Sequence, residues 1–372
     1  MLVGVPKEIK NHEYRVGMTP TSVREMAKNG HSVIVETKAG LGIGAPDEEY
    51  RTAGAEIVDT AEEIFARADM IVKVKEPQAV ERAMLRQGQI LYTYLHLAPD
   101  PEQTKDLVNS GATCIAYETV TSRLGGLPLL APMSKVAGRM AIQAGAYCLE
   151  QPHGGLGMLL GGVPGVDPAK VVVLGAGVVG THATHIAVGM GADVWVLDNN
   201  ADSIDRHWQH FGRSTNTVFS TADALEKHVL EADLVIGGVL VPGAEAPKLV
   251  TREMVEKMKP GSVIVDVAID QGGCCETSRP TTHAEPTYTV NDVVHYCVAN
   301  MPGGVPRTST FALNNVTLPF AVQLANKGAR QALMDDEHLR HGLNVHAGKV
   351  TYKEVAEELG YNFVDAVTAL AG

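Results

Sequence analysis

Residues 170–199 run KVVVLGAGVVGTHATHIAVGMGADVWVLDN, and this stretch leaves the chain little choice of local fold. The apolar run at 171–174 predicts a buried strand, the glycines a tight turn, the following residues a helix, and the run at 194–197 a second, parallel strand. In a unit of this kind Gly175 permits the turn out of the first strand, Gly177 lets backbone approach a pyrophosphate, and Gly180 allows helix to pack closely on strand. The free amides at the helix start then face the phosphates. A bare G-x-G-x-x-G also fits a tight βα turn that binds nothing. What separates the two is an acidic residue about 20 positions on, and Asp198 ends the second apolar run. A carboxylate there accepts ribose hydroxyls and repels a 2′-phosphate, while Asn199 and Asn200 offer no cation, so NAD is favoured over NADP.

A chain of 372 residues exceeds the roughly 250–300 at which a single core stops growing, so two domains are expected. The net charge of −12 argues against nucleic acid or an anionic membrane as a partner, and an anionic substrate would need a locally cationic pocket. Five cysteines (Cys114, Cys148, Cys274, Cys275 and Cys297) without a C-x-x-C spacing predict reduced thiols and a cytoplasmic protein. Met1 leads directly into a short strand and charged residues, which leaves no signal-peptide core, and the apolar stretch 154–166 is too short and glycine-rich to span a bilayer.

Strands are expected at 2–5, 32–35, 70–74, 90–94 and 113–116, with helices at 21–29, 60–68, 78–86 and 101–110 between them. Further strands are expected at 234–237 and 263–267. The alternation predicts an α/β protein with mostly parallel sheets covered on both faces. Residues 134–149, with Gly138 and several alanines, form a candidate connecting helix that another backbone can approach. Residues 309–333, expected to kink at Pro319, form the return path, and 351–359 a last helix.

Ligands of parallel sheets bind beyond the carboxyl ends of the strands. That rule selects Arg15 in the loop after the first strand, Lys75 after the fourth, His96 after the fifth, and Asp270 after 263–267. Singly, each has an ordinary explanation. Arg15 would be a solvated loop arginine beside Glu13, Lys75 a partner of Glu76, His96 a buried hydrogen-bonded histidine, and Asp270 a turn cap. Shared placement at strand ends favours a common site, on two rims of a cleft. Cys274 and Cys275 match no redox spacing and are expected to be packing residues.

The segments GVPKEIKNHEYRVGMTP (4–20), VKVKEP (72–77), YLHLAP (94–99), GAGVVG (175–180), VDVAIDQGG (265–273) and NMPGGVPRTST (300–310) together resemble the alanine dehydrogenase family from end to end. The resemblance implies two Rossmann-like domains joined by long connecting helices with a cleft between them: 1–130 with 305–372 for substrate, and 131–304 for NAD. It implies that Arg15 grips the substrate carboxylate, Lys75 holds and polarises the substrate, His96 is the acid/base, and Asp270 is the second catalytic residue. Around NAD it implies Ser134, Gly175, Gly177, Val178, Val179, Gly180, Asp198, Ser220, Val239, Leu240, Val267, Ala268, Ile269, Asn300 and Met301. Ser203 stands where relatives carry a basic residue near the adenosine, and Lys327 where some carry a histidine linked to a metal, so no metal is expected. The implied reaction partners are L-alanine, pyruvate and ammonium, in a cytoplasmic homo-oligomer that is a hexamer by resemblance. Alternatives are the NAD-binding subunit of a transhydrogenase, a dehydrogenase for another small amino or keto acid, and a catalytically silent NAD-binding protein.

Overall fold

The computed structural model describes residues 1–239 and 246–371. The chain forms two compact units, Met1–Met133 with Gly303–Gly372, and Ser134–Pro302. Among the described residues fifteen strands supply the two sheets. In chain order they are β1 (Leu2–Val5), β2 (Ser32–Glu36), β3 (Glu56–Val58), β4 (Met70–Val72), β5 (Ile90–Thr93) and β6 (Thr113–Ala116), then β7 (Lys170–Leu174), β8 (Asp193–Asp198), β9 (Asn216–Phe219), β10 (Leu234–Gly237), β11 (Val263–Asp266), β12 (Thr287–Val290) and β13 (Val293–Tyr296), and last β14 (Leu343–His346) and β15 (Lys349–Val350).

The first unit holds an eight-stranded sheet in the order β15-β14-β6-β5-β4-β1-β2-β3, parallel from β6 to β3, with β14 and β15 antiparallel at one edge. The second holds a seven-stranded sheet, β12-β13-β11-β10-β7-β8-β9, in which only β12 runs antiparallel. Both follow one doubly wound plan. The chain builds outward from a first strand (β1 or β7), returns to its other side, and continues through β4 or β10, so the strand order reverses beside that first strand. Helices on both faces bury nearly all of the central strands, which is why these read as apolar runs instead of alternating ones. Two sets of buried residues pack on opposite faces of the second sheet, one holding Val171, Val173 and Ile236, the other Val172, Leu174 and Val235.

Local signals fix most helix ends. Thr60 accepts the Glu63 amide to start helix Ala61–Arg67. Asp100 does the same for Pro101–Ser110, which Gly111 ends at a φ of +67°. Two expectations need correction. Only Ala79–Arg82 of the expected helix at 78–86 is helical; the amides of Met84 and Leu85 bond to carbonyls three residues back, and the chain turns so that buried Gln89 can donate to Phe65 and Ala68. The long helix Pro306–Asp335 keeps helical backbone through Pro319 and departs from it at Gly328, with φ +75°. Glycine takes that conformation without a steric penalty, so the break falls there. The 18-residue helix Ala131–Cys148 lies against the helix that follows the glycine turn, because a Cβ on Gly138 would stand only 2.2 Å from the Val179 carbonyl oxygen. Among the described residues no helix is long and apolar enough to cross a membrane.

Candidate active site

In the first unit the strand-end residues come from neighbours in the sheet. β5, β4 and β1 lie side by side, and Gly4 is level with Ile71 as Val72 is with Tyr92. The chain leaving β4 reaches Lys75, the chain leaving β5 reaches His96, and the longer loop after β1 carries Arg15, all beside the point where strand order reverses. Asp270 belongs to the second unit.

Arg15 is not a solvated loop arginine, since it is 2% exposed. Its Nε and Nη2 donate to the two oxygens of Glu13 at 2.7 and 2.5 Å, a two-pronged pair, and Nη1 donates to the Met133 sulfur at 3.1 Å. Burial alone would lower its pKa, but the bonds and charge of Glu13 outweigh that and the net direction is upward. The cation is permanent, and its plane is fixed by its partner.

Lys75 is braced through its backbone. Glu8 is buried and accepts the Val74 amide at 2.7 Å and the Lys75 amide at 3.4 Å, while Thr93 donates to the Lys75 carbonyl. The same Glu8 pairs with buried Lys73, which also pairs with buried Glu81. Burial pushes the Glu8 carboxyl up, and the Lys73 charge opposes it. The Lys75 ammonium stands 3.9 Å from Glu76, which is itself paired with Lys10. A contact that long leaves the Lys75 charge less committed than a close pair would.

His96 is exposed and has a φ of +50°, uncommon for a residue with a side chain. Glu118 holds it there. Its carboxylate accepts the His96 amide at 2.6 Å and the Leu95 amide at 3.2 Å, and lies 3.9 Å from the imidazole Nδ1. The ring of Tyr94 stacks on the imidazole at 5.8 Å, and the Tyr94 hydroxyl is anchored on the Leu129 carbonyl. Sequence reasoning missed Glu8, Glu118 and Tyr94. Glu118 follows β6 as His96 follows β5, so the same strand-end rule selects it.

In the second unit the fingerprint takes the geometry a phosphate cradle needs. Gly175 turns with φ +97°, and a Cβ on Gly180 would stand 1.8 Å from the Gly175 carbonyl oxygen. A Cβ on Gly177 meets nothing within 4 Å, so the approach to the start of helix Val178–Gly189 is open. Asp198, at the end of β8, accepts the Ala176 amide of the turn at 2.7 Å and the Asn200 amide at 2.8 Å. Ser220 donates its amide to the Asp198 carbonyl at the neighbouring strand end. These features fit a dinucleotide: an open row of helix-end amides for the phosphates and an oriented carboxylate for a ribose.

Of the other positions, Ser134 lies in the first turn of helix Ala131–Cys148, Val178 is exposed at the start of helix Val178–Gly189, and Val179 beside it is buried. Val239 lies beside Gly175. Leu240 falls outside the described residues. Val267, Ala268 and Ile269 form a short 3-10 turn with Asp270. Ala268, Ile269 and Met301 are buried. Asp270 is exposed and accepts the Asn300 amide at 3.3 Å, Asn300 having a φ of +58°. Lys327 is ion-paired with Asp335, and Ser203 donates its amide to the side chain of Asn200, which caps helix Ala201–Phe211.

Residues 4–137 match the N-terminal domain, and 141–353 the C-terminal domain, of the family described as alanine dehydrogenase/PNT. The chain is 60% identical to the alanine dehydrogenase of Halomonas elongata, each covered in full, and 56% identical to that of Bacillus subtilis, covering all of this chain and 98% of that one. An L-alanine dehydrogenase structure superposes with a TM-score of 0.94 at 52% identity, covering 97% of this chain and 99% of the other. A transhydrogenase structure from Sinorhizobium meliloti superposes at 0.81 with 28% identity, covering 95% and 99%. With both domain matches in sequence and relatives of this identity along the full length, the chain belongs to the alanine dehydrogenase/PNT family, among its alanine dehydrogenase enzymes.

Proposed function

We propose that the chain catalyses the reversible oxidative deamination of L-alanine, in which L-alanine, NAD⁺ and water give pyruvate, ammonium, NADH and a proton. The observation that carries this reading is the set of a guanidinium, an ammonium and an imidazole at the adjoining carboxyl ends of β1, β4 and β5, in a chain that also holds a dinucleotide fingerprint. NAD, when bound along Gly175, Gly177, Gly180 and Asp198, supplies the acceptor for the Cα hydride.

The chain's own groups do the rest. Arg15, its plane set by Glu13, holds the substrate carboxylate and so fixes which face of Cα is presented. Lys75 donates to the carbonyl oxygen of pyruvate and stabilises the charge that develops there. His96 takes the proton from the amine and releases it to solvent, takes another from the water that adds to the iminium carbon and returns it to the nitrogen, and then passes the hydroxyl proton to the departing ammonia as the carbonyl forms. Asp270 orients that water and balances the iminium charge. The working form is a cytoplasmic homo-oligomer, a hexamer by family resemblance.

The test uses the purified protein alone and follows NADH absorbance, with L-alanine and NAD in one direction and pyruvate, ammonium and NADH in the other. Turnover in both supports the reading. Cofactor binding without turnover of either substrate set overturns it in favour of a transhydrogenase-type subunit or a silent binder.

A further inference from the structure

The strand that leads to Asp270 ends in a carboxylate with no access to solvent. Asp266 is 0% exposed, and a buried carboxylate is costly unless hydrogen bonds satisfy it. Its donors are all neutral and come in two arms. Oδ1 accepts the Ala268 amide at 3.2 Å and the Cys274 thiol at 3.5 Å, whereas Oδ2 accepts the Cys274 amide at 2.9 Å, the Cys275 amide at 3.2 Å and the Ser278 hydroxyl at 2.6 Å. Ala268 belongs to the entry of the turn, and Cys274, Cys275 and Ser278 to its exit; Asp270 lies between them.

The surrounding backbone is shaped to this carboxylate. Gly273 has a φ of +79°, and a Cβ there would stand 2.8 Å from Oδ2. A Cβ on Gly237, in the adjacent strand, would stand 2.4 Å from the Cys274 sulfur and 3.0 Å from Oδ1. Burial first, and then the Asp266 charge, push the Cys274 thiol well above its ordinary pKa, so it stays protonated as a donor. That gives Cys274 a role besides filling space. Asp270 itself is exposed and, through its side chain, rests on the Asn300 amide at 3.3 Å, so its placement depends on how firmly the turn is held.

We infer that Asp266 is the positioning residue for Asp270: by tying Ala268 to the segment 274–278 it fixes where the Asp270 carboxylate stands. This rests on the reading of Asp270 as a group that acts on substrate. Asparagine at 266 keeps the volume but has one oxygen, so it satisfies either the exit arm or the Ala268 amide and turns an amide donor toward the other.

The experiment compares wild type, Asp266→Asn, Asp270→Asn and the double variant as full-length protein, by kcat in both directions and by NADH titration. Asp266→Asn is expected to lower kcat on the order of 10- to 100-fold, the range supporting partners command at other sites, with the NADH Kd changed less than about threefold. In the Asp270→Asn background the same change is expected to slow the reaction no more than about twofold, because it acts through the group already removed. An equal loss in both backgrounds, an equal loss of NADH affinity, or an unslowed Asp266→Asn overturns the inference. Full activity in Asp270→Asn is a separate outcome: it rejects the role of Asp270, and the inference falls with it. If Asp266→Asn does not fold, Ser278→Ala, which removes a single donor from the exit arm, takes its place in the cycle. It is expected to cost about three- to tenfold in the wild-type background alone, and a loss that adds fully to Asp270→Asn overturns the inference.

Discussion

The Asp198 carboxylate accepts Ala176 from the glycine turn and Asn200 from the next helix cap, so its direction is set by the protein and not by a ligand. In Asp198→Ala the ribose loses charge-assisted bonds worth roughly 1.5–3 kcal/mol each, and the repulsion of a 2′-phosphate disappears. We expect the NADP/NAD ratio of kcat/KM to rise at least about tenfold, one such bond's worth, and a flat ratio would place the ribose elsewhere. Arg15 raises a related question, because Glu13 already uses two of its donor positions. Lysine can neither reproduce that fork nor offer a flat edge to a carboxylate. Arg15→Lys should therefore raise KM for pyruvate about tenfold or more, the effect of losing one charge-assisted bond, with a smaller change in kcat. An unchanged KM would remove Arg15 from substrate binding. His96→Ala should lower kcat by about two to four orders of magnitude while NADH still binds, as loss of a general acid/base does, and full activity in a titration-matched assay would reject that role.

Two glycines of one turn make opposite demands on the element they join. Gly177→Ala meets open space at a φ of −73°, so the variant should fold normally and lose cofactor affinity alone. Gly180→Ala drives a Cβ into the Gly175 carbonyl, so the helix must shift, at a cost of about 1–3 kcal/mol. Thermal melts with and without NADH separate the two, and equal destabilisation would contradict the geometry. Helix Ala201–Phe211 makes a pH-dependent demand through His207, which is 2% exposed, packs on Phe211, and has no hydrogen-bond partner among the described residues for either ring nitrogen. Burial, and then the charge on His210, lower its pKa from 6.5 to about 4, against the pull of Asp198. The unfolded chain therefore takes up the proton first. The contribution of His207 is intact above pH 6.5 and is lost as pH falls toward 4. His207→Leu should lose up to about 2 kcal/mol less stability than wild type between pH 7 and 5, whereas parallel curves would mean that His207 charges freely. Neither demand is equally visible in the sequence. The fingerprint is legible because only glycine fits it, and the central strands because burial on both faces makes them continuous apolar runs. The three-residue edge strand β3 gave too short a signal, and the β12–β13 hairpin turns on Asn291 and Asp292, both at positive φ, a cue that composition alone does not raise. At the site, strand ends pointed to Arg15, Lys75 and His96, and the same rule reaches Glu118 after β6, but Glu8 and Asp266 matter through burial and bonding that only the folded backbone creates.

At the scale of the whole molecule the two units differ in how their chain is supplied. The second is continuous in sequence, with its own seven-stranded sheet and buried residues on both faces. The first depends on residues more than 160 positions beyond the end of its opening segment. β14 pairs with β6, and Asn314 of the long helix accepts the Thr19 amide and the Ser22 hydroxyl while donating to the Gly17 carbonyl, next to the loop that carries Arg15. A chain ending at 133 would leave the β6 edge bare and those buried polar groups unsatisfied, each at about 1–3 kcal/mol. A fragment of residues 131–302, by contrast, keeps every strand of its sheet and the whole helix that packs through Gly138. We expect this fragment to melt cooperatively and to gain about 2.7 kcal/mol at a hundredfold excess of NADH over its Kd, while 1–133 alone melts without a transition. Cooperative folding of 1–133 would show that β14 and Asn314 are dispensable. A 131–302 fragment that folds yet gains nothing from NADH would move the dinucleotide away from the glycine turn, and with it the assignment of Asp198.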